Sequence, residues 1–278
     1  MFDDSFKARY RTLPVATYTH PHHKEPTTFI PHNHREIELI AMTAGEACFF
    51  VGSVALPLSA GDLLVIPPYY VHHAKIAPKT SYECLCFDPA LLSDADLREG
   101  LEGGSLTANG AVLAGAFGNG PHGRALSAVA ALKEAAPGWE LEVAGQLSLL
   151  FSALKRGGHF VPAGEGAKED RFSRAVMEYV AKRYGEPITS RELAAQLYMS
   201  GAYFCRLFKR SFGCSFSAFL LAYRIEKAKL LLKDRLPISE IALACGFHSF
   251  SYFTKVFREQ SGMTPTAFRR KVKGAAYE

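Results

Sequence analysis

Two sets of residues in this chain have the types and spacing to do chemistry. His32, His34, Glu36 and Glu38 recur at every second position, and in an extended strand that period puts them on one face. Imidazoles and carboxylates gathered this way suit a divalent cation such as Zn, Mn, Fe or Ni, or hydrogen bonds to a small polar ligand in a pocket. Farther along, Ala202, Cys205, Arg206 and Lys209 stand at i, i+3, i+4 and i+7, and Ser251, Thr254, Lys255 and Arg258 repeat that spacing. On a helix those positions share one side. Arg206 is the expected base reader, because a guanidinium fork on guanine O6 and N7 gives about 1–3 kcal/mol of discrimination. Ala202 and Cys205 suit apolar contact with a thymine methyl, whereas Lys209, Arg258 and Arg270 suit phosphates.

These helical positions sit inside a stretch that occurs twice. Tyr203 to Phe219 and Tyr252 to Phe268 share six identical residues of seventeen, with five more conservative, at an offset of 49. That density indicates a duplicated supersecondary unit. A short helical run precedes each copy, at Glu192–Leu197 and Glu240–Ala244, followed by a tight turn. Phe204, Leu207 and Phe208 face inward in the first copy, as do Phe253, Val256 and Phe257 in the second. Short helix, turn and second helix with a basic face is the plan of a helix-turn-helix. Thr189 with Glu192 forms a capping-box pattern, and Thr264 with Pro265 supplies an N-cap and N1 for a last helix. Between the copies, Ser215 to Leu232 reads as a connecting helix of about 25 Å.

Two such units near the C-terminus resemble the AraC family of bacterial transcription regulators, and Tyr223 to Leu232 is similar to that family's connecting-helix signature. By family position, base reading falls on Ala202, Cys205 and Arg206, then on Phe250, Ser251, Thr254 and Lys255. The first helix is expected to supply more of the direct readout, and the second mainly positioning.

Upstream, from Thr28 to about Phe87, five short runs read as strands: Ile37–Ala41, Ala47–Val51, Val54–Leu58, Leu63–Ile66 and Tyr82–Phe87. Gly and Pro punctuate them, as in an antiparallel sandwich or barrel. His32-Asn-His34, Glu38 and Gly45 resemble the first cupin motif. Gly61, Pro67 and His72 resemble the second in spacing, although Tyr69 stands where that motif has Gly and Ile76 where it has Asn. The resemblance implies a set of His32, His34, Glu38 and His72 that binds an effector or, alternatively, a divalent metal. No cofactor is required for the effector reading. His20, His22 and His23 are expected in a loop or N-terminal arm, with a contribution to the pocket as the alternative.

The implied fold class is a two-domain α+β protein. Residues 1–160 form a cupin-like β-barrel with a flanking helical pair, 161–169 a Gly-rich linker, and 170–278 an all-α domain of two helix-turn-helix units. In the helical pair, Leu126, Val129, Ala130 and Lys133 suggest one amphipathic face. Val143, Leu147, Leu150, Phe151 and Leu154 give a second, serving either a dimer contact or packing on the barrel. The domain's first helix, about residues 170–184, turns Phe172, Val176, Tyr179 and Val180 inward.

Net charge is +5, but residues 170–273 hold 19 Lys and Arg against 8 Asp and Glu, while the remainder holds 13 against 19. A basic half beside an acidic half points to a polyanion partner for one domain only. No apolar run approaches a membrane span, the N-terminus lacks the order of a secretory signal, and the six cysteines form no CxxC pair. The chain is therefore read as a cytoplasmic, effector-responsive regulator and not an enzyme. Its expected partners are promoter duplex DNA, a small-molecule effector, a second copy as homodimer, and RNA polymerase if it activates, with no membrane. The alternative is a metal-dependent cupin enzyme fused to a DNA-binding domain.

Overall fold

A computed structural model of the chain describes residues 13–20, 27–52, 54–108, 120–162, 167–234 and 236–274. Its contacts divide after Arg174 into two compact units. In the first, β1 (Val15–His20), β8 (Ser81–Phe87), β3 (Ile37–Ala44) and β6 (Leu63–Ile66) form one antiparallel sheet in that order. A second sheet runs β2 (Thr27–His32), β7 (His72–Ile76), β4 (Glu46–Val51) and β5 (Val54–Ser59). All five expected strands are present. The sheet structure begins earlier than Thr28, however, because Val15–His20 pairs along β8.

Period-two alternation divides the first sheet's side chains between two cores. Ile40, Met42, Leu64, Ile66, Tyr82, Cys84 and Cys86 face the interior, against Phe49, Leu58 and Ala74 of the second sheet. Ile37, Leu39, Leu63, Val65, Leu85 and Phe87 face the other way and meet helices. With both faces covered, β6 reads as a continuous apolar run, Leu63–Ile66.

The helices are α1 (Ala95–Gly103), α2 (Pro121–Glu134) and α3 (Trp139–Arg156), with the ribbon β9 (Leu106–Ala108) and β10 (Phe160–Pro162) beside them. The expected seam of α3 is buried throughout, from Val143 to Leu154, and packs in the same core as the outer face of the first sheet. Barrel packing therefore uses that stripe. The expected face of α2 is rotated: Ala125, Ala128, Val129 and Leu132 are buried, while Ala130 and Lys133 are exposed. Lys133 instead reaches Glu83 at 2.8 Å and Thr19 Oγ1 at 2.6 Å, pinning the helix to the strands. Alanine permits this rotation, since the close helix–sheet approach needs small residues where leucine periodicity would have placed large ones.

The second unit holds α4 (Ala167–Arg183, from Ala175 on), α5 (Ser190–Gln196), α6 (Gly201–Phe212), α7 (Phe216–Leu231), α8 (Ile238–Ala244), α9 (Phe250–Ser261) and α10 (Pro265–Gly274). Phe172, Val176, Tyr179 and Val180 of α4 are buried. Thr189 and Glu192 close a reciprocal capping box on α5, and Ala267 N donates to Thr264 Oγ1 at the start of α10.

Duplication extends to the caps. Ser200 accepts from Tyr203 N and Ser249 from Tyr252 N, both at 3.3 Å, while Gly213 and Gly262 end α6 and α9 at φ +70° and +73°. The turns differ. Tyr198 takes the left-handed position in the first, at φ +55°, and Gly246 in the second, at φ +78°. Between that residue and the serine cap, the second turn holds one residue more. Phe204, Phe208, Phe212, Phe216 and Phe219 build the core of the first helix-turn-helix copy, with Phe208 stacked on Phe212 at 4.2 Å. Each fully buried phenylalanine contributes about 1.5–3 kcal/mol. Ile225, Ile241, Phe253 and Phe257 build the second.

Candidate functional site

His32, His34, Glu38 and His72 converge at one end of the barrel, with one ligand atom of each within 4.8 Å of the others. His32 ends β2 and pairs with His72 at the start of β7, after a register shift following Phe29. Such a bulge re-aims side chains next to a site. Residues 33–36 lie outside any strand, so the period-two face is not continuous. Glu36 stays outside the cluster, its carboxylate 3.6 Å from His34 Nδ1. His34 Nε2 and His72 Nε2 each lie 2.9 Å from one oxygen of Glu38, Oε2. Their Nδ1 atoms lie 3.1 Å from Glu36 O and 2.9 Å from Tyr70 O.

This geometry bears on what the cluster can hold. A carbonyl only accepts, so each Nδ1 carries the hydrogen, and a neutral ring then turns its Nε2 lone pair toward the same carboxylate oxygen. Two acceptor nitrogens 2.9 Å from an anionic oxygen call for protons or a cation between them. Nδ1–H on a backbone carbonyl with Nε2 free to ligate is how metal-binding histidines are oriented. The residues fit a divalent ion.

Electrostatics agree with a paired carboxylate. Burial alone would raise the Glu38 carboxyl, but with Nε2 of both rings protonated the charge of His72 and hydrogen bonds from His34 and His72 hold it well below the usual range. Burial, followed by the His72 charge, pushes His32 far below an ordinary imidazole.

The departure at Tyr69 preserves the backbone of the second motif. Tyr69 sits at φ +64°, the left-handed conformation that glycine adopts without cost. Its N–H donates to His34 O at 2.7 Å, and Asn33 Nδ2 donates to Tyr69 O at 3.2 Å. The two motifs are thus buckled together through main chain.

Three further groups line the interior. His20 is not in a loop or arm; it ends β1, is buried, and stacks on Tyr82 with centroids 4.8 Å apart. His22 and His23 lie outside the described residues. Cys84 and Cys86 alternate inward along β8, with Sγ atoms 3.6 Å apart, and Cys84 Sγ lies 3.1 Å from Glu38 Oε1. Alternation in β8 could have located the two thiols, whereas nothing marked His20 while its strand went unread.

In the second unit, Ala202, Cys205, Arg206 and Lys209 are exposed along α6, and Phe250, Ser251, Lys255 and Arg258 along α9. Phe250 faces outward, half exposed, rather than entering the core. Thr254 is half-buried, and its Oγ1 makes no hydrogen bond among the described residues. Among the described residues, no carboxylate lies within 4 Å of Arg206, Lys209, Lys255 or Arg258, while Arg183 and Lys229 in the same unit are paired with Glu186 and Glu226. Both outward helix faces thus carry cations with no carboxylate beside them among the described residues.

Comparison with known proteins follows the same division. A family described as "AraC-like ligand binding domain" matches residues 16–154, and one described as "Helix-turn-helix domain" matches residues 193–271. The HTH-type transcriptional regulator YdeC of Bacillus subtilis is 26% identical over 269 residues, covering 93% of this chain and 92% of its own. YijO of Escherichia coli, another HTH-type transcriptional regulator, is 35% identical over 98 residues, 35% of either chain. A crystal structure of ToxT from Vibrio cholerae O395 superposes with a TM-score of 0.51 at 12% identity, covering 92% of this chain and 97% of its own. That likeness shows the fold.

Proposed function

Because this chain belongs to the AraC family of transcription regulators, we propose that α6 and α9 read promoter DNA and that the histidine end of the barrel receives the effector. The protein is an AraC-type regulator with a ligand-binding domain and a helix-turn-helix DNA-binding domain. The observation that carries the DNA assignment is the pair of equivalent faces whose cations lack carboxylate partners among the described residues. Arg206 reads a base; Lys209 and Arg258 hold phosphates; Ser251, Thr254 and Lys255 position the second helix, with Phe250 available to a thymine methyl. Arg206→Ala should cost about 1–3 kcal/mol on a selected operator and leave non-specific binding in place. Equal loss on selected and unrelated duplexes, measured by titration at one salt concentration, overturns that assignment.

In the barrel, His32, His34, Glu38 and His72 offer a polar end to an otherwise apolar interior, suited to a small ligand with one anionic or chelating group. The same four residues would hold a divalent cation, which would supply a Lewis-acidic centre for such a group. No catalytic residue is assigned. Effector control requires that the ligand bind two states of the protein with different affinity.

The protein acts in the cytoplasm; among the described residues no helix is long and apolar enough to cross a membrane. It works as a homodimer, and contacts RNA polymerase if it activates. On α3, Leu141 is 81% exposed and Leu149 51%. They flank Gly145, where an added Cβ would meet nothing within 4 Å. An apolar, closely approachable stripe opposite the buried seam suits a second copy. Leu141→Arg should convert the dimer to monomer in sedimentation; an unchanged mass rules out this face.

A further inference from the structure

We infer that Cys84 and Cys86, with Glu38 as the carboxylate shared with the histidine cluster, form an adjoining cation site, so that the effector is a thiophilic metal ion taken by sulfur. This rests on the reading of the histidine cluster as a cation site.

Glu38 joins two donor groups. Its Oε2 lies 2.9 Å from both His34 Nε2 and His72 Nε2, and its Oε1 lies 3.1 Å from Cys84 Sγ. Cys86 Sγ is 3.6 Å from Cys84 Sγ, and the ligand atoms of Glu38, Cys84 and Cys86 all lie within 4.8 Å of one another. Buried cysteine commonly serves as a small apolar filler. These two differ from that pattern, because β8 turns both inward onto a carboxylate that already faces two imidazoles. The positions are also rigid: Cys86 is in register with Glu38 across β3 and β8, and Cys84 with Ile40. A site built from oxygen and imidazole alone would accept Mn²⁺ or Ni²⁺ readily. Adding thiolates shifts preference toward Zn²⁺ or Cu⁺, since soft ligands select soft ions and a coordinated thiol gives up its proton.

The test uses the full chain, with Co²⁺ as a spectroscopic stand-in for Zn²⁺. Wild-type protein titrated with Co²⁺ should develop intense near-ultraviolet thiolate-to-cobalt charge-transfer absorption, absent from a Cys84→Ala/Cys86→Ala double variant. Competition should show the double variant losing Zn²⁺ affinity roughly tenfold or more while its Mn²⁺ affinity changes little. Thermal unfolding of the metal-free variant checks that it folds, and single Cys84→Ser and Cys86→Ser variants serve if it does not. Co²⁺ binding in the wild type without the sulfur band overturns the thiol assignment and leaves the histidine site standing. No Co²⁺ or Zn²⁺ binding at all overturns both. A band kept in His34→Ala but lost in the cysteine variants supports the thiol site, and a band kept in the cysteine variants overturns it.

Discussion

At position 45 an added Cβ would lie 2.5 Å from Thr80 Oγ1 and 2.7 Å from Thr80 Cα, on a backbone at φ +73°. Thr80 is fully buried, and its hydroxyl donates to Glu46 O at 2.8 Å while accepting from Glu46 N at 3.1 Å. Gly45→Ala thus meets both the left-handed penalty of about 1–2 kcal/mol and a clash against hydrogen-bonded backbone. A loss of about 2–4 kcal/mol in denaturant unfolding is expected; a change under about 1 kcal/mol would mean the hairpin shifts freely. Tyr198 shows the opposite case: a non-glycine left-handed residue, 99% exposed, that turn geometry tolerates because its side chain meets only solvent. At this scale the sequence was informative where residue type and spacing coincide. His32, His34, Glu38 and His72 do meet. The thiol pair is legible only through the alternation of β8, and His20 is hidden because β1 carries no apolar run to mark it.

Strands β3 to β6 and β8 were legible because turn residues bracket short apolar or alternating runs. The strands β1, β2 and β7 were not. β2 is an edge strand carrying Pro31, where proline is tolerated but breaks the sequence signature. β7 opens on His72 and His73, one facing the site and the other stacked on Phe50 at 4.4 Å. Polar residues placed for function hide the strand that places them. Among the helices the repeat made α5 to α9 readable, but not what holds the two copies together. Arg224 on α7 donates to Tyr184 O and Glu186 O, both at 2.7 Å, and its guanidinium fills the space where a Cβ on Gly246 would lie, at 2.9 Å. One side chain therefore ties the connecting helix to the end of α4 and to the second turn. Arg224→Ala should cost about 2–3 kcal/mol, because charge-assisted bonds are lost and two carbonyls are left to find water. Thermal unfolding checks this, and an unaltered melting temperature would show that packing alone holds the junction.

Charge is segregated along the whole molecule, +11 over residues 170–273 and −6 over the rest. Association with DNA should therefore weaken steeply as salt rises, with each phosphate contact adding about 0.9 to the log–log slope. Lys209→Ala and Arg258→Ala should each lower that slope by about one and weaken all duplexes alike; an unchanged slope for either shows that the cation is merely solvated. The first sheet carries a different consequence. It is a wall one residue thick: Cys86 faces the barrel interior, and the next residue, Phe87, meets Phe151 of α3 edge-on at 5.6 Å, which stacks at 5.8 Å on Phe160 of β10. In chain order β10 is the last strand before the DNA-binding unit. A ligand that draws on Cys86 cannot tilt that peptide without also turning the ring behind it. Sensing and transmission would then share a single backbone, so that a substitution made to blunt one would be felt in the other.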